Sequence, residues 1–122
     1  MKILITSDWY IPAVNGVVTS VKNLRRELEA RGHEVRVLTL SQNHRSYKRD
    51  GVTYLGSVAA GLIYPGARLR TALAGKWVRE IVEWEPDVVH SQCEFSTFFL
   101  ARRIAEELDI PLVHTYHTVY ED

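Results

Sequence analysis

Lys2-Ile3-Leu4-Ile5-Thr6, read together with the polar Ser7-Asp8 that follows, decides the fold class of this chain. A nearly continuous apolar run suits a strand buried on both faces of a parallel sheet, since helices covering both faces leave no solvent side to alternate toward. It is read as the first, central strand. The loop Asp8-Trp9-Tyr10-Ile11-Pro12-Ala13-Val14-Asn15-Gly16 then leads into a helix. Asn15 is its N-cap, Val17, Val21, Leu24 and Leu28 share one face, and Gly32 ends it.

Working outward, Glu34 to Leu40 carries β-branched Val35 and Val37 and reads as the second strand, followed by a polar loop from Ser41 to Asp50. Asp50-Gly51 is a turn signal and Val52 to Leu55 a short third strand. Gly56, Gly61, Pro65 and Gly66 mark an irregular stretch. A helix is predicted over Ala67 to Trp84, where Leu69, Leu73, Trp77, Ile81 and Trp84 recur at near four-residue spacing. Pro86 breaks it, and Asp87 to His90 is the fourth strand. Ser91-Gln92-Cys93-Glu94 has the form of a capping box before a helix over Phe95 to Leu108, and Pro111 precedes the fifth strand, Leu112 to Thr115.

Strands alternating with helices imply right-handed crossovers and a three-layer α/β domain whose parallel sheet is ordered 3-2-1-4-5. Such sheets bind ligands at the carboxyl ends of their strands, where the order reverses. Three loops line that crevice here: Ser7 to Gly16, Ser91 to Glu94, and Tyr116 onward.

The 122 residues, 46% hydrophobic, support one ordinary core. Fifteen basic residues balance fifteen acidic ones, which removes the global electrostatic argument for a nucleic-acid partner. The single cysteine, Cys93, cannot form an intramolecular disulfide, and with no nearby base in sequence it reads as inert. The apolar run at the N-terminus is too short for a signal sequence or a spanning helix, so a cytoplasmic location is expected.

Asn15-Gly16 at a helix start offers free amides and a dipole end to an anion; an ordinary capped turn is the alternative. Neither Gly-x-Gly-x-x-Gly nor a Walker motif is present. His114 and His117 lie three apart on an extended segment, which points them to opposite faces and argues against a metal pair. His114 is expected to be packed or bonded within the strand, and His117 to project into the crevice. Glu94 has two open readings, the capping box and a substrate contact. His33 and His44 read as solvated surface residues. Arg68, Arg70, Lys76 and Arg79, beside Trp77, flank the apolar stripe of the Ala67 to Trp84 helix. Either they stand in water or they meet anionic lipid, at about 1 kcal/mol per well-placed cation.

These residues also carry a family likeness. Asp8 to Val18, with Leu28 and Arg31-Gly32-His33-Glu34-Val35, resembles the amino-terminal signature of retaining GT-B glycosyltransferases of family 4. Asp87-Val88-Val89-His90, Glu94-Phe95-Ser96 and Pro111-Leu112-Val113-His114-Thr115-Tyr116-His117-Thr118-Val119-Tyr120-Glu121-Asp122 are similar to the bacterial diacylglycerol glucosyltransferases of that family in particular.

The resemblance implies that residues 1–122 form the acceptor-side, Rossmann-like N-terminal domain, without the C-terminal donor domain, and that this fragment alone is inactive. It implies transfer of a hexose, glucose foremost, from a nucleotide-sugar such as UDP-glucose to a lipid such as diacylglycerol, without a metal or other cofactor. By resemblance His117 contacts the sugar and supports the reaction, Asn15 and Gly16 lie near the donor phosphates or the transferred sugar, Glu94 and Tyr116 are further cleft contacts, and Asp8 shapes the loop. The implied partners are the two substrates, the C-terminal domain and an anionic membrane at the inner face of the cell; an uncovered sheet surface would also favour self-association. Two alternatives remain: a family 4 enzyme acting on a phosphoinositol or soluble sugar, and a non-catalytic flavodoxin-like or receiver-like module. The second shares the strand order, but Asp8 stands nearly alone where a receiver carries an acidic cluster.

Overall fold

A computed structural model describes residues 1–11, 15–41, 45–56, 75–92 and 96–115, apart from the side chain of Ser96. In chain order they form β1 (Lys2–Thr6), α1 (Gly16–Ala30), β2 (Glu34–Leu40), β3 (Tyr47–Arg49), β4 (Val52–Leu55), α2 (Lys76–Trp84), β5 (Val88–Ser91), α3 (Ser96–Leu108) and β6 (Leu112–His114). The sheet runs β3-β4-β2-β1-β5-β6, parallel throughout except for the β3–β4 pair. The expected order 3-2-1-4-5 is present as β4-β2-β1-β5-β6, with β1 central and one strand added at the edge.

The apolar run of β1 is continuous because the two faces of the sheet are both covered. Ile3 and Ile5 join Val18 and Val21 of α1, with Val35, Val37, Val52 and Tyr54, in one core cluster. Leu4 points the other way, among Leu38, Leu55, Val89, Val78 and Ile81 of α2, and Leu100 and Ile104 of α3. Strand side chains alternate faces, so parity along β1 sorts each residue to its layer.

Three expectations are corrected. The segment Ser41 to Asp50 is not loop throughout, because Tyr47–Arg49 pairs antiparallel with β4. Asp50 and Gly51 have φ of 53° and 75°, the two positive values of a tight hairpin turn whose twist suits the flanking strands. The ring of Tyr47 stacks on that of Tyr54 at a centroid distance of 4.4 Å, a cross-strand pair that helps hold the short edge strand.

The helix expected over Ala67 to Trp84 starts at Lys76, since Gly75 before it is extended, with φ −67° and ψ 150°. Positions 67–74 lie outside the described residues. At its other end Glu85 takes the left-handed conformation, φ 57°, ahead of Pro86. The Lys2 ammonium donates to the Trp84 carbonyl at 2.9 Å, where a cation complements the end of the helix dipole. The Trp84 indole donates to Glu34 at 3.0 Å beneath the Arg36 guanidinium. These contacts fasten the end of α2 to the amino ends of β1 and β2.

The capping box expected at Ser91 is the third correction. Ser91 is the last residue of β5, in register with Thr6 and His114, and α3 starts only at Ser96. Its hydroxyl lies 3.2 Å from the His114 ring nitrogen, and Glu94 lies outside the described residues. Among the described residues no helix is long and apolar enough to cross a membrane.

Candidate functional site

The order in which strands join the sheet reverses between the parallel neighbours β1 and β5, and backbone bonds extend the ladder beyond the strands there. The Ser7 amide donates to Leu38 at 3.0 Å, the Gln92 amide to Thr6 at 2.8 Å and the Thr115 amide to Ser91 at 2.8 Å. A firm floor therefore underlies the crevice. The Ser7 hydroxyl donates to the Trp9 carbonyl at 2.8 Å and accepts from the Trp9 amide at 3.2 Å, turning the chain out of β1.

Asp8 faces across the reversal. Its Oδ1 accepts from the amide of Thr97 at 2.9 Å and from the Thr97 hydroxyl at 2.7 Å. A carboxylate on the first-turn amides of α3 satisfies a donor without an intrahelical acceptor and meets the positive end of the dipole. Asp8 thus ties the loop after β1 to α3.

α1 begins beside this loop. The Asn15 side chain accepts from the Val18 amide at 2.9 Å, and its carbonyl accepts from Thr19 at 3.2 Å. Among the described residues the amides of Gly16 and Val17 have no acceptor. A Cβ built at Gly16 would meet nothing within 4 Å, so neither packing nor, absent a positive φ, backbone conformation demands glycine there. What the missing side chain leaves is open space at Gly16, beside two amides at the start of a helix that no described acceptor meets.

A second row crosses β1, β5 and β6. Register aligns Thr6, Ser91 and His114 on the α3 side of the sheet, and the His114 ring meets Phe98 of α3 edge-on at 5.1 Å. His114 is thus packed and bonded, though only half-buried. The Thr6 hydroxyl is fully buried and has no hydrogen-bond partner among the described residues. His90 projects to the opposite, α1 side, where its Nε2 lies 2.5 Å from the Thr115 hydroxyl. That contact joins β5 to the residue immediately before Tyr116.

Of the residues singled out from sequence, Asn15 and Gly16 therefore stand at the crevice. His117, Tyr116, Glu94, Arg68 and Arg70 lie outside the described residues. Lys76, Trp77 and Arg79 are on α2, whose end is fastened to the amino edge of the sheet. Trp77 packs partly against the core, the Lys76 ammonium sits 4.8 Å from the centre of its ring, and Arg79 is exposed. Sequence reading gave no role to Thr97, His90 or Thr115. The parity of β5 held a signal for His90, since Val89 is a core residue and its neighbour must face the other layer.

Residues 14–122 match the family model described as Glycosyltransferase Family 4. Over its whole length the chain is 39% identical, across 124 aligned residues, to an alpha-monoglucosyldiacylglycerol synthase of Acholeplasma laidlawii, covering 31% of that protein. It is 34% identical over 122 residues to an alpha-monoglucosyldiacylglycerol synthase of Streptococcus pneumoniae, covering 28% of it. A GDP-mannose-dependent alpha-mannosyltransferase of Corynebacterium glutamicum is 28% identical over 126 residues, with 97% of this chain and 29% of that protein covered. The chain thus spans less than a third of the length of each of these relatives.

Proposed function

This chain belongs to glycosyltransferase family 4, and from that premise we propose that it is the acceptor-side, Rossmann-like N-terminal domain of a retaining GT-B hexosyltransferase making a membrane glycolipid. The donor is a nucleotide-sugar, UDP-glucose first, and the acceptor a lipid hydroxyl such as that of diacylglycerol. The observation that carries this reading is whole-chain identity to two proteins named as alpha-monoglucosyldiacylglycerol synthases. Family membership removes the receiver-like alternative.

In the proposed reaction the acceptor oxygen bonds to the anomeric carbon while the bond from that carbon to the diphosphate breaks. The acceptor proton passes to a departing phosphate oxygen, on the same face, and no metal takes part. The protein's share is to position both substrates and stabilise the charge gathering on the diphosphate. The amides of Gly16 and Val17, which meet no acceptor among the described residues, suit that demand, with open space where a Gly16 side chain would stand. His117 is proposed as the side chain contacting the transferred sugar, with Glu94 and Tyr116 beside it. The floor on which Tyr116 and His117 follow is held by the Thr115 bonds to Ser91 and His90.

The enzyme would act at the inner face of the cell membrane, with Arg68, Arg70, Lys76, Trp77 and Arg79 meeting anionic lipid. Residues 1–122 alone are proposed to be inactive for want of a donor-binding domain. The test supplies UDP-glucose and diacylglycerol in vesicles to the full-length enzyme and to the 122-residue chain. An α-linked glucolipid from the former and none from the latter is expected; no glucolipid from the full-length enzyme overturns the reading. The likeness to a GDP-mannose-dependent transferase supports a second reading in which the family stays and the donor changes; the acceptor in that reading is a phosphoinositol or soluble sugar.

A further inference from the structure

A groove of about 490 Å³ opens between α1, the β3–β4 hairpin and the loop after β1. Tyr10, Tyr47, Tyr54, Arg25, Arg49 and Asp50 give it its chemistry. It shares Tyr10 and Ile11 with the loop after β1, but among the described residues none of Asp8, Asn15, Gly16, Ser91 or Thr115 lines it, so its walls are otherwise those of α1 and the hairpin. Its volume falls within the range of about 300–1,000 Å³ typical of small-molecule sites.

The lining is packed and bonded in place at several points. Tyr47 and Tyr54 stack with their planes 11° apart, while Tyr10 and Tyr54 are only 6% and 5% exposed. Arg25 is held at both ends of its guanidinium, donating to Glu29 at 3.2 Å and to the Asp50 carbonyl at 2.5 Å. Burial, followed by the neighbouring Tyr47 and Tyr10, pushes the Tyr54 phenol above its ordinary value of 10.0, against the smaller opposing pull of Arg49 and Arg25. The phenol therefore stays protonated, able to donate and accept. Among the described residues the hydroxyls of Tyr10, Tyr47 and Tyr54 make no hydrogen bond.

Charge decides the class of ligand. Glu29, outside the lining, pairs with Arg25 at 3.2 Å, and Asp50 follows Arg49 in sequence, so these four groups together carry no surplus positive charge with which to hold a phosphate. Three phenol hydroxyls, two guanidiniums and a carboxylate instead offer donors and acceptors around an aromatic wall. That combination fits a molecule with apolar C–H faces and a hydroxylated edge. We propose that this groove binds a neutral hexopyranose. The assignment follows from the lining alone and does not rest on the transferase reading.

Saturation-transfer NMR on the 122-residue chain, with methyl α-glucopyranoside as probe, tests it. The expected result is transfer to the ring C–H protons, and binding weakened by roughly tenfold or more in both Tyr47→Ala and Arg49→Ala. Arg49 is exposed on the edge strand, so its variant keeps the fold if the hairpin of Tyr47→Ala loosens; circular dichroism reports on both. Absence of transfer from the unaltered chain overturns the proposal, as does transfer undiminished in Arg49→Ala. Inorganic phosphate shifting the groove resonances where the glucoside does not would likewise overturn it and make the groove an anion site.

Discussion

The Asp8 carboxylate accepts two hydrogen bonds from Thr97, at 2.9 Å from its amide and 2.7 Å from its hydroxyl, across 89 residues of sequence. This single oxygen joins the loop that leaves β1 to the helix that follows β5, the two elements on either side of the sheet's reversal. Replacing Asp8 with Ala should cost about 1–2 kcal/mol of stability, the range of a lost helix cap. Asp8→Asn should cost less, because it keeps an acceptor and loses only the charge at the dipole. Chemical denaturation of the chain measures both, and equal losses would remove the electrostatic part.

Gly16 separates binding from folding. A methyl group there meets open space, so Gly16→Ala should leave the denaturation midpoint essentially unchanged. On the proposed function it should nonetheless reduce turnover of the full-length enzyme by roughly tenfold or more, the scale of a disturbed contact to developing charge. A variant with unaltered kinetics would detach the α1 amides from the donor phosphates.

His117→Ala in the full-length enzyme should lower kcat by at least about tenfold, as expected when a transition-state contact is removed. Steady-state kinetics with UDP-glucose provide the check. Unchanged turnover would take His117 out of the site.

Neutralising Arg68, Arg70, Lys76 and Arg79 together should weaken sedimentation of the full-length enzyme with anionic vesicles, more at low salt than at high salt. Identical sedimentation of both proteins would mean that these residues stand in water.

Tyr54 gives the fold an alkaline limit. Its phenol is raised above the ordinary value, chiefly by burial. A group that holds its proton more tightly when folded contributes its full stability below the unfolded value, near 10, and loses it as pH rises through the folded value. Stability should therefore decline as pH climbs past about 10, and less steeply in Tyr54→Phe. Unfolding followed by tyrosinate absorbance tests this; parallel pH profiles would assign the decline to other groups.

Much of the fold was legible because its signals are local. The double-sided burial of β1, the cap at Asn15, the Asp50-Gly51 turn and the break at Pro86 each lie within a few residues of what they control. β3 escaped because three residues are too few to display a period of two, and its pairing depends on Tyr54 across the hairpin. The helix was drawn too far because the stripe Leu69, Leu73, Trp77 crosses Gly75 without interruption, whereas the extended backbone there has no mark in the pattern. Ser91 imitated a capping residue through its spacing to Glu94, though its register with Thr6 and His114 places it in the sheet.

The sequence by itself determined the layers, the parallel strand order and the helix start at Asn15-Gly16, since burial parity and capping are written in neighbouring residues. Only the tertiary structure decided that Asp8 caps a helix 89 residues away, that His90 meets Thr115, and that Tyr10, Tyr47 and Tyr54 converge on one groove. Those relationships depend on sheet register and on the packing of α1 and α3. No spacing along the chain encodes them, because each joins groups that approach only once the sheet has closed between its helices.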